Sequence, residues 1–124
     1  MADKVLITPK AAPVDYQIYS GDTLEAVINW KDAAGDPLPL SAYTALLQVK
    51  VDKTSATSVV ELTENSGIVL TDTYPNIAFT VSATDILLLD IASAYFYDLQ
   101  LTSAGGVVTT ISTGTIVSLQ DNSR

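Results

Sequence analysis

The chain contains no histidine and no cysteine, and its basic residues are scarce. Without histidine there is no imidazole base near neutral pH and no imidazole metal ligand. Ser-His-Asp and Cys-His catalytic arrangements are excluded with it. Without cysteine, disulfide staples and thiolate metal sites are excluded, and the redox compartment stays open. Six basic residues face fourteen acidic ones, a formal charge of −8. Such a surface repels phosphate backbones and anionic lipid, so neither nucleic acid nor membrane is an expected partner. No apolar run approaches the roughly 18 residues that span a bilayer. Met1 to Thr8 lacks the long apolar core of a signal peptide, so a soluble chain is expected.

What the chain does have is apolar and β-prone. Hydrophobic residues make up 48% and charged residues 16% of 124 positions, which argues against disorder and for one domain with a real core. Alternation is the dominant pattern. Leu24, Ala26, Ile28 and Trp30 share one face, with Glu25, Val27 and Asn29 opposite. Tyr43, Ala45, Leu47 and Val49 do the same, as do Tyr95, Tyr97, Leu99 and Leu101 against Phe96, Asp98 and Gln100. Two β-rich runs, 94–102 and 107–117, flank Ser103-Ala-Gly-Gly106, where Gly105 and Gly106 can supply positive φ, so they read as a hairpin.

Shorter strands are expected over 15–19, 58–63, 68–70 and 77–81. Turns fall at Ser20-Gly-Asp22, at Lys31 to Pro37, at Asn65-Ser-Gly67 and at Tyr74-Pro-Asn76. Ser82 and Thr84 are candidate N-caps for one short helical turn near 83–89, with a buried strand as the competing reading of Ile86 to Leu89. Seven to nine short strands with almost no helix make an all-β, antiparallel β-sandwich. The expected layout is an extended N-terminal arm over 1–14, a sandwich domain over 15–118 and a frayed tail over 119–124. Pro9 and Pro13 interrupt the arm, and Val5, Leu6 and Ile7 give it something apolar to bury. It is either a first edge strand of the same domain or an arm packing on a neighbouring subunit.

Candidate sites are few, and each has a bland explanation. The close carboxylate pairs are Asp22 with Glu25, Asp32 with Asp36, and Asp85 with Asp90. Paired carboxylates can hydrolyse glycosides, but these sit in turns, on polar strand faces or at segment ends, where acids are ordinarily just solvated. Asp32 and Asp36 share a loop that could offer oxygen ligands to calcium, yet their spacing is not that of an EF-hand, and a hairpin turn explains the same residues. Trp30 keeps phase with a core face, against a competing role as a sugar-stacking platform; Tyr95 and Tyr97 read as core, with hydroxyls reaching its rim. No catalytic, cofactor-binding or metal-ligating residue is assigned, no cofactor is expected, and no interface residue is singled out.

Six segments carry a resemblance. Tyr19-Ser-Gly-Asp-Thr-Leu24, Ile28-Asn-Trp-Lys-Asp32, Gly35-Asp-Pro-Leu38 and Tyr43-Thr-Ala-Leu-Leu-Gln-Val49 come first, in that order. With the later Ile77-Ala-Phe-Thr-Val-Ser-Ala-Thr-Asp85 and Tyr97-Asp-Leu-Gln-Leu-Thr102, this order is similar to small immunoglobulin-like domains of tailed-bacteriophage virions. It most resembles the N-terminal domain of the phage baseplate upper protein. The resemblance spans most of 15–118 and transfers no active-site residue.

It implies an immunoglobulin-like sandwich and a non-enzymatic virion structural protein. Such a protein docks or cements other virion components, as a tail or baseplate adaptor or as capsid decoration. Other virion proteins are then the partners, and a homo-oligomer or symmetric array is expected, in a particle assembled in the host cytoplasm. A bacterial surface or carbohydrate-binding sandwich module is the competing function, and an enzyme is disfavoured by the missing histidine and cysteine.

Overall fold

Among the described residues, the alternating segments become nine strands and one helical turn. In the computed structural model, residues 12–120 are described. The strands are β1 (Ala12–Pro13), β2 (Tyr16–Tyr19), β3 (Leu24–Ile28), β4 (Thr44–Lys50) and β5 (Val60–Glu64), then β6 (Gly67–Leu70), β7 (Ile77–Val81), β8 (Ala94–Thr102) and β9 (Val108–Leu119). The turn α1 (Ala83–Ile86) lies between β7 and β8.

The hydrogen-bonded order is β1-β9-β8-β4-β5-β6-β7-β3, with β2 following β1 along β9. This ladder folds over on itself. β5 and β6 touch through only two parallel pairs, Thr63 with Gly67 and Glu64 with Ile68. The chain bends between them, with positive φ at Asn65 and Gly67. One layer is therefore β1/β2-β9-β8-β4-β5 and the other β6-β7-β3. Their inward faces meet in a single core that includes Leu47, Val49, Phe79, Val81, Leu99 and Ile116. The Tyr16 ring stands edge-on to Phe79 across the layers, with centroids 6.2 Å apart.

This is an immunoglobulin-like sandwich. Its opening strands run parallel to the last strand, β2 pairing Tyr16 with Ile116 through Tyr19 with Leu119. At the corner before β8, the Tyr95 hydroxyl accepts from the Asp90 amide at 2.9 Å, closing the turn that carries α1. Ser82 caps α1 by accepting from the Asp85 amide, so Ser82 and not Thr84 is the N-cap. The helical turn ends at Ile86. Leu87 to Leu89 continue as turn, with Ile86 and Leu89 buried and Leu87 and Leu88 outside.

Three details go beyond the sequence-based expectation. The sandwich is not wholly antiparallel, since β1 and β2 on β9 and β5 on β6 are parallel pairs. β9 carries a bulge: Leu99 faces Ser112 but Gln100 faces Thr110, leaving Ile111 as the extra residue. Ile111 and Ser112 are consequently both buried. In the hairpin loop, Gly106 takes the positive φ and Gly105 does not. Of the 1–14 arm, residues 12–13 form β1 beside β9 and the Val14 amide donates to the Thr113 carbonyl; residues 1–11 lie outside the described residues. Leu119, set at the head of the 119–124 tail, closes β9, and 121–124 lie outside the described residues.

Candidate functional site

The carboxylate pairs stay apart and do structural work. The Asp32 carboxylate accepts from the amides of Ala34 and Asp36, which folds the 31–37 loop as a side-chain-supported turn. Asp85 lies in the first turn of α1 at the opposite end of the sandwich, and the Asp90 amide serves the Tyr95 corner. Glu25 is exposed on β3, and the Asp22 amide closes the turn after Tyr19. Among the described residues, no group of three or more Asp or Glu is placed to hold a metal ion.

Trp30 is core, 1% exposed, with a ring contact on its indole and an asparagine clamp on its backbone. Tyr43 meets it edge-on at 5.9 Å. Asn76, fully buried, accepts from the Trp30 amide and donates to the carbonyls of Trp30 and Leu38 at 2.8–2.9 Å. Asp72 adds a second tie, accepting from the Leu40 and Ser41 amides at 3.0 Å, and the Tyr74 hydroxyl donates to the Gly35 carbonyl. The 71–76 loop thus clamps the long 31–43 loop over Trp30. Nothing in the sequence marked Asn76 as the clamp, because a turn asparagine ordinarily bonds its own backbone rather than one 46 residues away.

The tyrosine hydroxyls do reach the rim. Tyr97 donates to the Val14 carbonyl at 2.7 Å and pairs with Ser112 Oγ at 3.0 Å. Burial pushes its phenol up to about 12, the Ser112 hydroxyl opposing the shift. Burial also raises the Tyr16 phenol. On the edge beside it, Asp15 accepts from both the amide and the hydroxyl of Thr115.

Two surface features were not foreseen. The first is a groove of about 470 Å³ on the outer face of the β4-β8-β9 sheet. Cross-strand register builds it: Lys50 lies beside Phe96 and Phe96 beside Thr115, with Gln48, Asp98 and Thr113 in the next row. Asp15 forms one wall, and Lys53, in the turn after β4, forms the other, its ammonium 5.5 Å from the Phe96 ring centroid. The signal for it was an isolated Phe96 on the polar side of an alternating strand. Its lysine neighbours come from another strand, so only the register reveals them.

The second is apolar. On the outer face of the smaller layer, Val69, Ala78 and Val27 stand in one row across β6, β7 and β3. Val69 is 56% and Val27 64% exposed, and the row ends at the outer edge of β3, which no described strand pairs. At the α1 end, Leu87 and Leu88 project at 63% and 54% exposure, with exposed Ile91 nearby in sequence.

No protein-family model matches the chain, and no curated protein matches it. Among solved structures, Drosophila OTK extracellular domains 3–5 align with a TM-score of 0.44 at 16% identity. That alignment covers 98% of this chain and 36% of the other, so the chain spans about a third of its length. No helix among the described residues is long and apolar enough to cross a membrane.

Proposed function

We propose that the chain is a non-enzymatic structural protein of a tailed-bacteriophage virion, docking or cementing other virion components. The sequence resemblance motivates the virion setting. The observation that carries the docking role is the apolar row Val69-Ala78-Val27 running to the open edge of β3. Native sheets usually blunt such edges with charge, proline or cover. An edge that keeps a solvent-facing valine along a five-residue strand with no described partner on one side suits a partner that adds a strand or lays an apolar surface on it. Repetition in a symmetric array would multiply a weak contact of this kind. The projecting Leu87-Leu88 tip offers a second contact point at the far end of the domain.

The test is incorporation. Particles purified from a culture that makes this chain contain it stoichiometrically, and Val27→Glu, on an exposed position, lowers its incorporation while its melting temperature holds. Particles free of the chain would overturn the virion reading. Undiminished incorporation of Val27→Glu would overturn the assignment of this edge.

A further inference from the structure

We infer that the strand added at the open edge of β3 is residues 4–8 of a second copy of this chain. The inference rests on reading that edge as a docking surface, and it names what docks there.

Direction is the first argument. From Ala12 to Tyr19 the chain keeps one register along β9, with Ala12 beside Ser112 and Tyr16 beside Ile116. The Tyr16 ring meets Phe79, which pairs with Ala26, so Tyr16 stands level with the middle of β3 across the core. After the turn at 20–23, β3 runs back against β2. Ala12 lies four residues before Tyr16, about 13 Å along the strand, whereas β3 ends at Ile28, about 7 Å past Ala26. The chain preceding Ala12 is therefore attached beyond the end of β3 and aimed away from it. For residues 4–8 to lie on their own β3, residues 9–11 would have to reverse direction, return about 7 Å and cross about 10 Å between layers. Three residues span about 10 Å when fully extended, and Pro9 stiffens one of them. The β3 edge of a neighbouring copy, seated past that end, needs no reversal.

Composition is the second argument. Val5, Leu6 and Ile7 are consecutive apolar residues, so a strand built from them has no polar face. Such strands belong where both faces are covered. The β3 edge offers both: outward, Val27 in its row with Ala78 and Val69, and inward, Ala26 and Ile28, half-buried and packed against the core. An added strand would extend the two surfaces at once, with Leu6 on one side and Val5 and Ile7 on the other. Two copies that exchange arms about a two-fold axis close both edges, since each contact repeats the other.

The chain has no cysteine, so single reporters can be placed in it. Separate chains carrying Leu6→Cys and Val27→Cys are mixed and treated with a short bismaleimide. The control replaces Val27→Cys with Val51→Cys, an exposed position just after β4 in the other layer. Sedimentation velocity at micromolar concentration reads the assembly state. The expected result is a dimeric wild type, with mixed links between positions 6 and 27 at least tenfold above the control. Deleting residues 1–8 should give a monomer that still melts cooperatively. Val27→Glu, at an exposed position, should do the same without shortening the chain. A dimer that survives the deletion would overturn the inference, as would a monomeric wild type without mixed links. If Val27→Glu then still lowers incorporation into particles, the edge keeps its docking role with a different partner. A chain bearing both cysteine substitutions that links within itself at nanomolar concentration would put the arm on its own β3 and overturn both readings.

Discussion

The Tyr97 hydroxyl donates to the carbonyl of Val14, a residue 83 positions earlier in the chain, and ties the first strands to the body of the sandwich. Its other partner, Ser112 Oγ, belongs to the strand that β1 and β2 follow. Tyr97→Phe keeps the ring and removes both bonds. A loss of about 1–2 kcal/mol is expected. Hydrogen exchange should quicken most at the Val14 and Tyr16–Tyr19 amides, and uniform quickening through β4 and β8 would show that the hydroxyl has no special hold on the edge.

The same phenol sets an alkaline limit. Its folded value of about 12 stands above its ordinary 10, so the fold favours the neutral form. The resulting stability is complete below pH 10 and declines as pH rises through 12. Equilibrium unfolding across that window should show a shallower decline for Tyr97→Phe than for wild type. Parallel declines would assign the alkaline loss to other groups, of which Tyr16 and Tyr74, both also raised, are the first to test.

Gly114 is the strand position with least room. A Cβ there would come 2.1 Å from the Val14 carbonyl oxygen, and its φ of 152° lies where side chains are rarely found. Gly114→Ala should cost about 2 kcal/mol or more, with the edge strands displaced. Gly106→Ala, at φ 91° but in open space, should cost nearer 1 kcal/mol. Urea midpoints that rank the two the other way would show that the first strands do not press on β9 as described.

Asn76→Ala removes three hydrogen bonds, two of them buried, and should destabilise by about 3–4 kcal/mol. Trp30→Ala should cost about 3–5 kcal/mol. Because Asn76 holds the backbone of Trp30, the double variant should lose less than the sum, and strict additivity in denaturant unfolding would separate the clamp from the indole.

At low pH the relevant group is Glu64. The Ala45 amide and its own amide hold its carboxyl below the ordinary 4.5. A depressed value contributes stability above the unfolded pKa that is lost as pH falls through the folded one. Glu64→Gln should therefore flatten the acid limb below pH 4.5, and an unchanged limb would leave the tie between β5 and β4 without an electrostatic part.

Where burial alternates, the sequence was easy to read. Residues 24–30, 43–49 and 94–102 each place every second side chain against the core, and the periodicity gives both strand and face. The Asp32 turn was legible for the same local reason. The bulge at Ile111 was not, because Thr-Thr-Ile-Ser-Thr continues a strand whether or not one residue is extra. Neither was the parallel register of β2 on β9, set where Val14 and Asp15 meet Tyr97, Gly114 and Thr115 from far along the chain. The Phe96 groove joins residues of three strands and two loops, so no window of sequence contains it.

Parallel β2 and β9 have a mechanical corollary. The chain enters alongside the middle of β9 and leaves at its far end, so tension drawn through those two points slides the strands past one another. The four paired steps from Tyr16 to Tyr19, the Asp15 bonds and the Tyr97 bond would then bear the pull together instead of opening one at a time.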